Sequence, residues 1–118
     1  MPFVEVLRKD DRVNDQVLKE LVPNLTLVVA DVLSRLAPSH VVTPEMVDVV
    51  VRSVGPLDCV HPDLLVTVLA RHEPDRDDKA ERIIQEITAA VNECVGGVVA
   101  MVELVLTNRT SVFAYRGC

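Results

Sequence analysis

The sequence predicts an α+β fold in which two tandem βαβ units build one four-stranded mixed sheet with two helices on one face. Three observations carry this reading. Apolar patterns run strand, helix, strand, linker, strand, helix, strand. The second half repeats the first at shifted offsets. Several strands are apolar at consecutive positions, which is the mark of a strand covered on both faces. The division is a single domain over 1–118, with unit one at 1–56, a linker at 57–63 and unit two at 64–118.

Phe3 to Leu7 forms the first strand, headed by Pro2, a position where proline withholds no needed ladder hydrogen bond. Arg8-Lys9-Asp10-Asp11-Arg12 is a charged loop, and Asn14 is a helix cap. Val17, Leu18, Leu21, Val22, Leu25, Val28, Val29, Val32, Leu33 and Leu36 then fall at helical spacing. Pro23 inside this run removes one helical hydrogen bond, so a kink or a tightened turn is expected there. Ala37-Pro38-Ser39 ends the helix. Met46 to Val54 is the second strand, closed by Gly55-Pro56, and Leu64 to Ala70 is the third.

Arg71 to Arg76 reads as a second charged loop, with Asp77 as the candidate cap of the next helix. Ala80, Ile83, Ile84, Ile87, Ala90, Val91, Cys94 and Val95 form its stripe, and Gly96-Gly97 stops it. Met101 to Thr107 is the fourth strand, followed by a tail that holds Phe113 and Tyr115.

The repeat is visible in detail. Arg12 and Arg76 each precede a helix, 64 residues apart, whereas Met46-Val47-Asp48 and Met101-Val102-Glu103 are 55 apart. The first unit is therefore longer by nine residues, assigned to its helix-to-strand loop. Right-handed crossovers put both helices on one side of the sheet. The other side carries Val49-Val50-Val51, Leu64-Leu65-Val66 and Leu104-Val105-Leu106 patterns with nothing left in the chain to cover it. An oligomer packed sheet to sheet is the expectation.

Composition narrows the function classes. The net charge of −6 disfavours nucleic acid and anionic membrane as partners. No apolar run reaches the length of a membrane span, and no basic-then-apolar leader is seen. Cys59, Cys94 and Cys118 are odd in number and scattered, as in a reduced, cytoplasmic protein. Asp58-Cys59-Val60-His61 with His72 fits no standard zinc spacing, so no metal is expected.

The opening from Pro2 through Val6 to Arg12 resembles that of the oxalocrotonate tautomerases, where an amino-terminal proline is followed ten residues on by an arginine; Pro2 and Arg12 are ten apart. Asp75-Arg76-Asp77-Asp78-Lys79 resembles the matching stretch of a second unit, and Phe113-Ala114-Tyr115-Arg116-Gly117 resembles the family's tail more weakly. With two units in the chain, the resemblance is to the longer branches of the tautomerase superfamily. These are carboxymethyl-hydroxymuconate isomerase, malonate semialdehyde decarboxylase, the haloacrylate dehalogenases and macrophage migration inhibitory factor.

The resemblance implies a homotrimer and a cofactor-independent isomerase acting on a small keto–enol carboxylic acid. Its general base would be the Pro2 amine, freed by removal of Met1. A prolyl amine whose ammonium form is disfavoured by burial and by nearby arginine is a base near neutrality. An arginine offers a planar fork for a carboxylate and for developing enolate charge. Arg76 and Arg12 are the catalytic candidates, with Arg76 preferred because longer members use the second unit. Arg71, Arg52 and Arg109 are further cations for substrate, with Phe113 and Tyr115 as pocket residues. The sequence departs from the family at Asp48 and Glu103, acids where the resemblance leads one to expect arginine. Either acid, if it faces the site, repels a dicarboxylate or activates water, which favours a hydratase, dehalogenase or decarboxylase instead. The rival from another class is a non-catalytic ferredoxin-like binding module that keeps Met1.

Overall fold

The computed structural model describes residues 2–107, so Arg109, Phe113 and Tyr115 lie outside the described residues. The chain runs β1 (Phe3–Arg8), α1 (Asp15–Leu36), a short 3-10 turn (Pro44–Met46), β2 (Asp48–Ser53), β3 (Leu64–Arg71), α2 (Pro74–Asp78), α3 (Ala80–Cys94) and β4 (Ala100–Thr107). The four strands lie in the order β2-β1-β3-β4. The pairs β1–β2 and β3–β4 are parallel, and β1–β3, which joins the units, is antiparallel. The expected mixed sheet with its main helices on one face is the fold observed.

Local chemistry explains the elements. The Asn14 carboxamide oxygen accepts from the Val17 amide at 3.0 Å, capping α1, while Asp15 and Arg35 sit at the ends that suit their charges. Pro23 does not end the helix, which continues to Leu36. The return segment is stitched to α1 by Ser34, whose hydroxyl donates to the Val42 carbonyl (2.9 Å) and accepts from the Val42 amide (2.8 Å). Gly97 takes φ 78°, a left-handed turn that only glycine adopts without strain.

Two boundaries differ from expectation by more than one residue. Met46 belongs to the 3-10 turn, because Pro44 favours a tight helical start, and β2 begins at Asp48. The charged loop before the second helix contains α2, one turn opened by Pro74 at its first position. Asp77 therefore lies inside α2 and does not cap α3; Lys79 joins the two helices directly.

The helix-facing side of the sheet is the core. Val4, Val6, Leu64, Val66 and Val68 are fully buried there against Leu21, Leu25, Val29 and Leu33 of α1 and Ile83, Ile87 and Val91 of α3. The helices run antiparallel, as shown by Asn24 bonding Cys94 and Arg35 pairing with Glu86. Ile87→Ala would open a cavity in this seam and cost about 2–5 kcal/mol.

On the opposite face, cross-strand register aligns Phe3, Leu7, Val50, Leu65, Leu69, Met101 and Val105. Met101 is 53% exposed and Val105 39%, since no element among the described residues covers them. Register also confirms the repeat. Phe3 faces Asp48 and Leu64 faces Ala100, separations of 45 and 36 residues that differ by the same nine. Most of the nine lie in the helix-to-strand connection, eleven residues (37–47) in unit one and five (95–99) in unit two.

Candidate active site

The topology sorts the candidate residues between the two ends of the sheet. Pro2 is buried at the head of β1, and its carbonyl accepts from the Asp48 amide at 3.2 Å. The head of β2 and the tails of β3 and β4 share this end: Phe3 pairs with Leu69 and with Asp48, and Arg71 pairs with Thr107. Pro2, Asp48, Arg71 and, through α2, Arg76 thus lie at one end of the sheet, with Asp48 and Arg71 on its open face. Arg12 does not. It follows the C-terminal end of β1, about 20 Å along a six-residue strand from Pro2. Arg52 and Glu103 point from the open face. Arg52 reaches Glu5 at 3.1 Å, and Glu103 accepts from the Thr67 hydroxyl at 3.1 Å.

Arg76 is the buried cation of the proline end. Pro74 starts the α2 turn, the turn sends residue 76 inward, and its side chain is left 4% exposed. One terminal nitrogen donates to the Arg71 carbonyl at 2.8 Å, but Nε is buried without a partner. A buried donor left unpaired costs about 1–3 kcal/mol, so it calls for an explanation, and a ligand that takes the hydrogen bond is one. Burial pushes the guanidinium pKa down, Glu73 and Asp75 oppose that, and Arg71 adds to it.

The surrounding turn is tied to the loop after α1. The Ser39 amide and hydroxyl donate to the two Asp75 oxygens at 2.9 and 2.8 Å, and these bonds hold the Asp75 carboxyl below its ordinary range. Glu73 lies 3.6 Å from Arg71 Nε and 3.6 Å from His40 Nδ1. Sequence reasoning missed this Ser39–His40–Glu73–Asp75 cluster, because its contacts join segments more than thirty residues apart.

The other end is built differently. Asp63 heads β3 as Pro2 heads β1, and its carboxylate faces Arg12 Nε at 3.5 Å. The Val99 amide donates to Asp63 at 3.0 Å. That bond, with the Arg12 and Lys9 charges, holds the carboxyl below its ordinary range. The half-buried arginine of this end is Arg8, which donates to the Val13 carbonyl at 3.0 Å and pairs with Asp10 and Asp15; its Nε, like that of Arg76, makes no hydrogen bond. It also escaped the sequence reading, although the acids two and seven residues on were a signal.

No protein-family model and no curated protein sequence matches the chain. Solved structures match it over nearly their whole length. The chain is 13% identical to a native fused 4-OT, with a TM-score of 0.69 over 94% of this chain and 91% of that one. It is 16% identical to malonate semialdehyde decarboxylase, with a TM-score of 0.68 over 98% and 92%. It is 9% identical to the macrophage migration inhibitory factor-like protein of Entamoeba histolytica, with a TM-score of 0.64 over 95% and 93%. The fold is the one shared by tautomerase-superfamily proteins, as the resemblance of the sequence implied.

Proposed function

We propose that the chain is a cofactor-independent tautomerase for a small keto–enol carboxylic acid, working as a cytoplasmic homotrimer with Pro2 as general base. The observation that carries this reading is a buried proline at a strand head, sharing one sheet end with a buried arginine that has an unused donor. Removal of Met1 turns the Pro2 nitrogen into a secondary amine. Burial and the nearby guanidiniums disfavour its ammonium form. The neutral amine takes a proton from the carbon beside the substrate carbonyl, Arg76 with Arg71 holds the carboxylate and the enolate charge, and the prolyl ammonium returns the proton at the other position. No atom is gained or lost. Arg12, at the far end, would enter a site only from another copy.

The neighbouring folds support an enzyme of this kind, since malonate semialdehyde decarboxylase and a cis-3-chloroacrylic acid dehalogenase family member are among them. Asp48 favours a second reading. Its amide binds the Pro2 carbonyl and its carboxylate is exposed at the same end, where it could activate water in a hydratase or dehalogenase.

The test is enol-to-keto conversion of phenylpyruvate by protein whose intact mass shows Met1 removed. Proline-dependent turnover is expected. Activity in protein that retains Met1 would overturn the reading, because Pro2 would then have no free amine. Loss of water addition, but not of tautomerisation, in Asp48→Asn would support the second reading.

A further inference from the structure

Glu73 occupies the position from which a side chain ordinarily caps a helix, yet it makes no capping bond to α2. Its carboxylate is drawn the other way. The same oxygen faces Arg71 Nε and His40 Nδ1, each at 3.6 Å, and the side chain is 17% exposed. Both contacts are longer than hydrogen bonds, and the Arg71 and His40 partners are open to water. Such pairs are weak and exchange readily with another anion. The His40 contact is ionic only when the imidazole is protonated.

Charge counting gives the arrangement a consequence. The charges acting on Arg76 are Glu73, Asp75 and Arg71. Arg71 and Arg76 therefore meet two acids directly, and Asp77 and Asp78 of the same turn add further negative charge before any ligand arrives. Asp75 has both oxygens engaged by Ser39, so it is held in place. Glu73 is the anion free to give way. One incoming carboxylate can take its place on Arg71. A second carboxylate on the same ligand meets the charge of Glu73, and that of Asp48 at the same end of the sheet.

We propose that Glu73 is a specificity-determining residue, a resident counter-ion of Arg71 that fits this end of the sheet to acids with one carboxylate and excludes dicarboxylates. The proposal rests on reading Arg71 and Arg76 as the carboxylate-binding pair.

The test is calorimetric titration of the full chain with pyruvate and with 2-oxoglutarate at one ionic strength, in wild type, Glu73→Gln and Glu73→Asp. Gln keeps the size and removes the charge; Asp keeps the charge. In Glu73→Gln the preference for pyruvate over 2-oxoglutarate should fall roughly tenfold, and in Glu73→Asp it should stay near wild type. A ratio that does not move, or equal weakening of both ligands, overturns the proposal, because a merely structural residue would affect both alike. Wild-type protein that binds neither acid overturns it together with the carboxylate-site reading. A shifted ratio without proline-dependent turnover supports the counter-ion and rejects the catalyst.

Discussion

Arg12 faces Asp63 at 3.5 Å, whereas its repeat partner Arg76 is buried with Nε unpaired. The two arginines follow the same logic in sequence and opposite logic in space. At the head of β3 an acid neutralises the arginine, and the residue before it is chain interior. At the head of β1 a proline can carry a free amine, and the arginine is buried with no carboxylate in ion-pair contact among the described residues. The duplicated fold thus has two similar ends with different chemistry.

Replacement of the two arginines should separate them. Arg76→Ala should lower turnover of phenylpyruvate enol roughly tenfold to a hundredfold, the loss of one charge-assisted contact of about 1.5–3 kcal/mol. Arg12→Ala should have the smaller effect, since its nearest charge is Asp63. Steady-state kinetics on both variants checks this. Equal and negligible losses would move the carboxylate site elsewhere, with Arg71 and Arg52 next.

The Asp63 end predicts an acid dependence of stability. Its carboxyl is held below the ordinary range by the Val99 amide, with Arg12 and Lys9 adding to the effect. A depressed folded-state pKa means the contribution is complete above the unfolded value of about 3.9 and fades as pH falls through the folded value. Asp63→Asn should therefore be less stable than wild type at neutral pH, and the difference should shrink below about pH 4. Urea unfolding midpoints measured across that range check it. A gap that stays constant into acid would mean the carboxylate contributes only through packing.

The open sheet face predicts assembly. Light scattering at micromolar concentration should give about three times the 13.0 kDa chain mass. Val105→Asp puts a charge on a 39% exposed position of that face, outside the helix-packed core. It should shift the mass towards monomer while leaving far-UV circular dichroism unchanged. A wild-type monomer would remove the trimer from the proposal.

How much of this could be read in the sequence follows from the range of each interaction. Helix stripes and strand runs are local, so Leu21–Leu25–Val29 and Val66–Val68 announce their elements within the residues that form them. The repeat of Arg12 and Arg76 is equally visible as spacing. Spacing carries no direction, however. Because β1 and β3 are antiparallel, equivalent arginines are sent to opposite ends of the sheet, and the ten-residue interval from Pro2 to Arg12 separates them in space. Asp48 and Glu103 occupy equivalent places in the repeat, yet one abuts Pro2 and the other binds Thr67. Glu73 and Ser39 gain their roles only when the loop after α1 folds over α2, which no local pattern encodes.

Pro2 carries the decisive prediction. It heads β1, it is buried, and its carbonyl rather than its nitrogen is committed to the sheet, through the Asp48 amide. The nitrogen can therefore change chemistry without disturbing the ladder. Protein with Met1 removed should show a single titration governing kcat/KM on the acid side, placed below the ordinary α-amino value of about 7.7–8.0 by burial and nearby arginine. Activity should rise as pH climbs through it, because only the neutral amine is a base. Pro2→Ala, a primary amine after processing, should keep part of the activity with a shifted profile. A blocked amino terminus, obtained by retaining Met1 or by alkylation with a 3-halo acid, should abolish turnover while circular dichroism and trimer mass stay as they were. Turnover that survives a block verified by intact mass would make Pro2 a strand starter only, and Asp48 beside it would become the next group to replace.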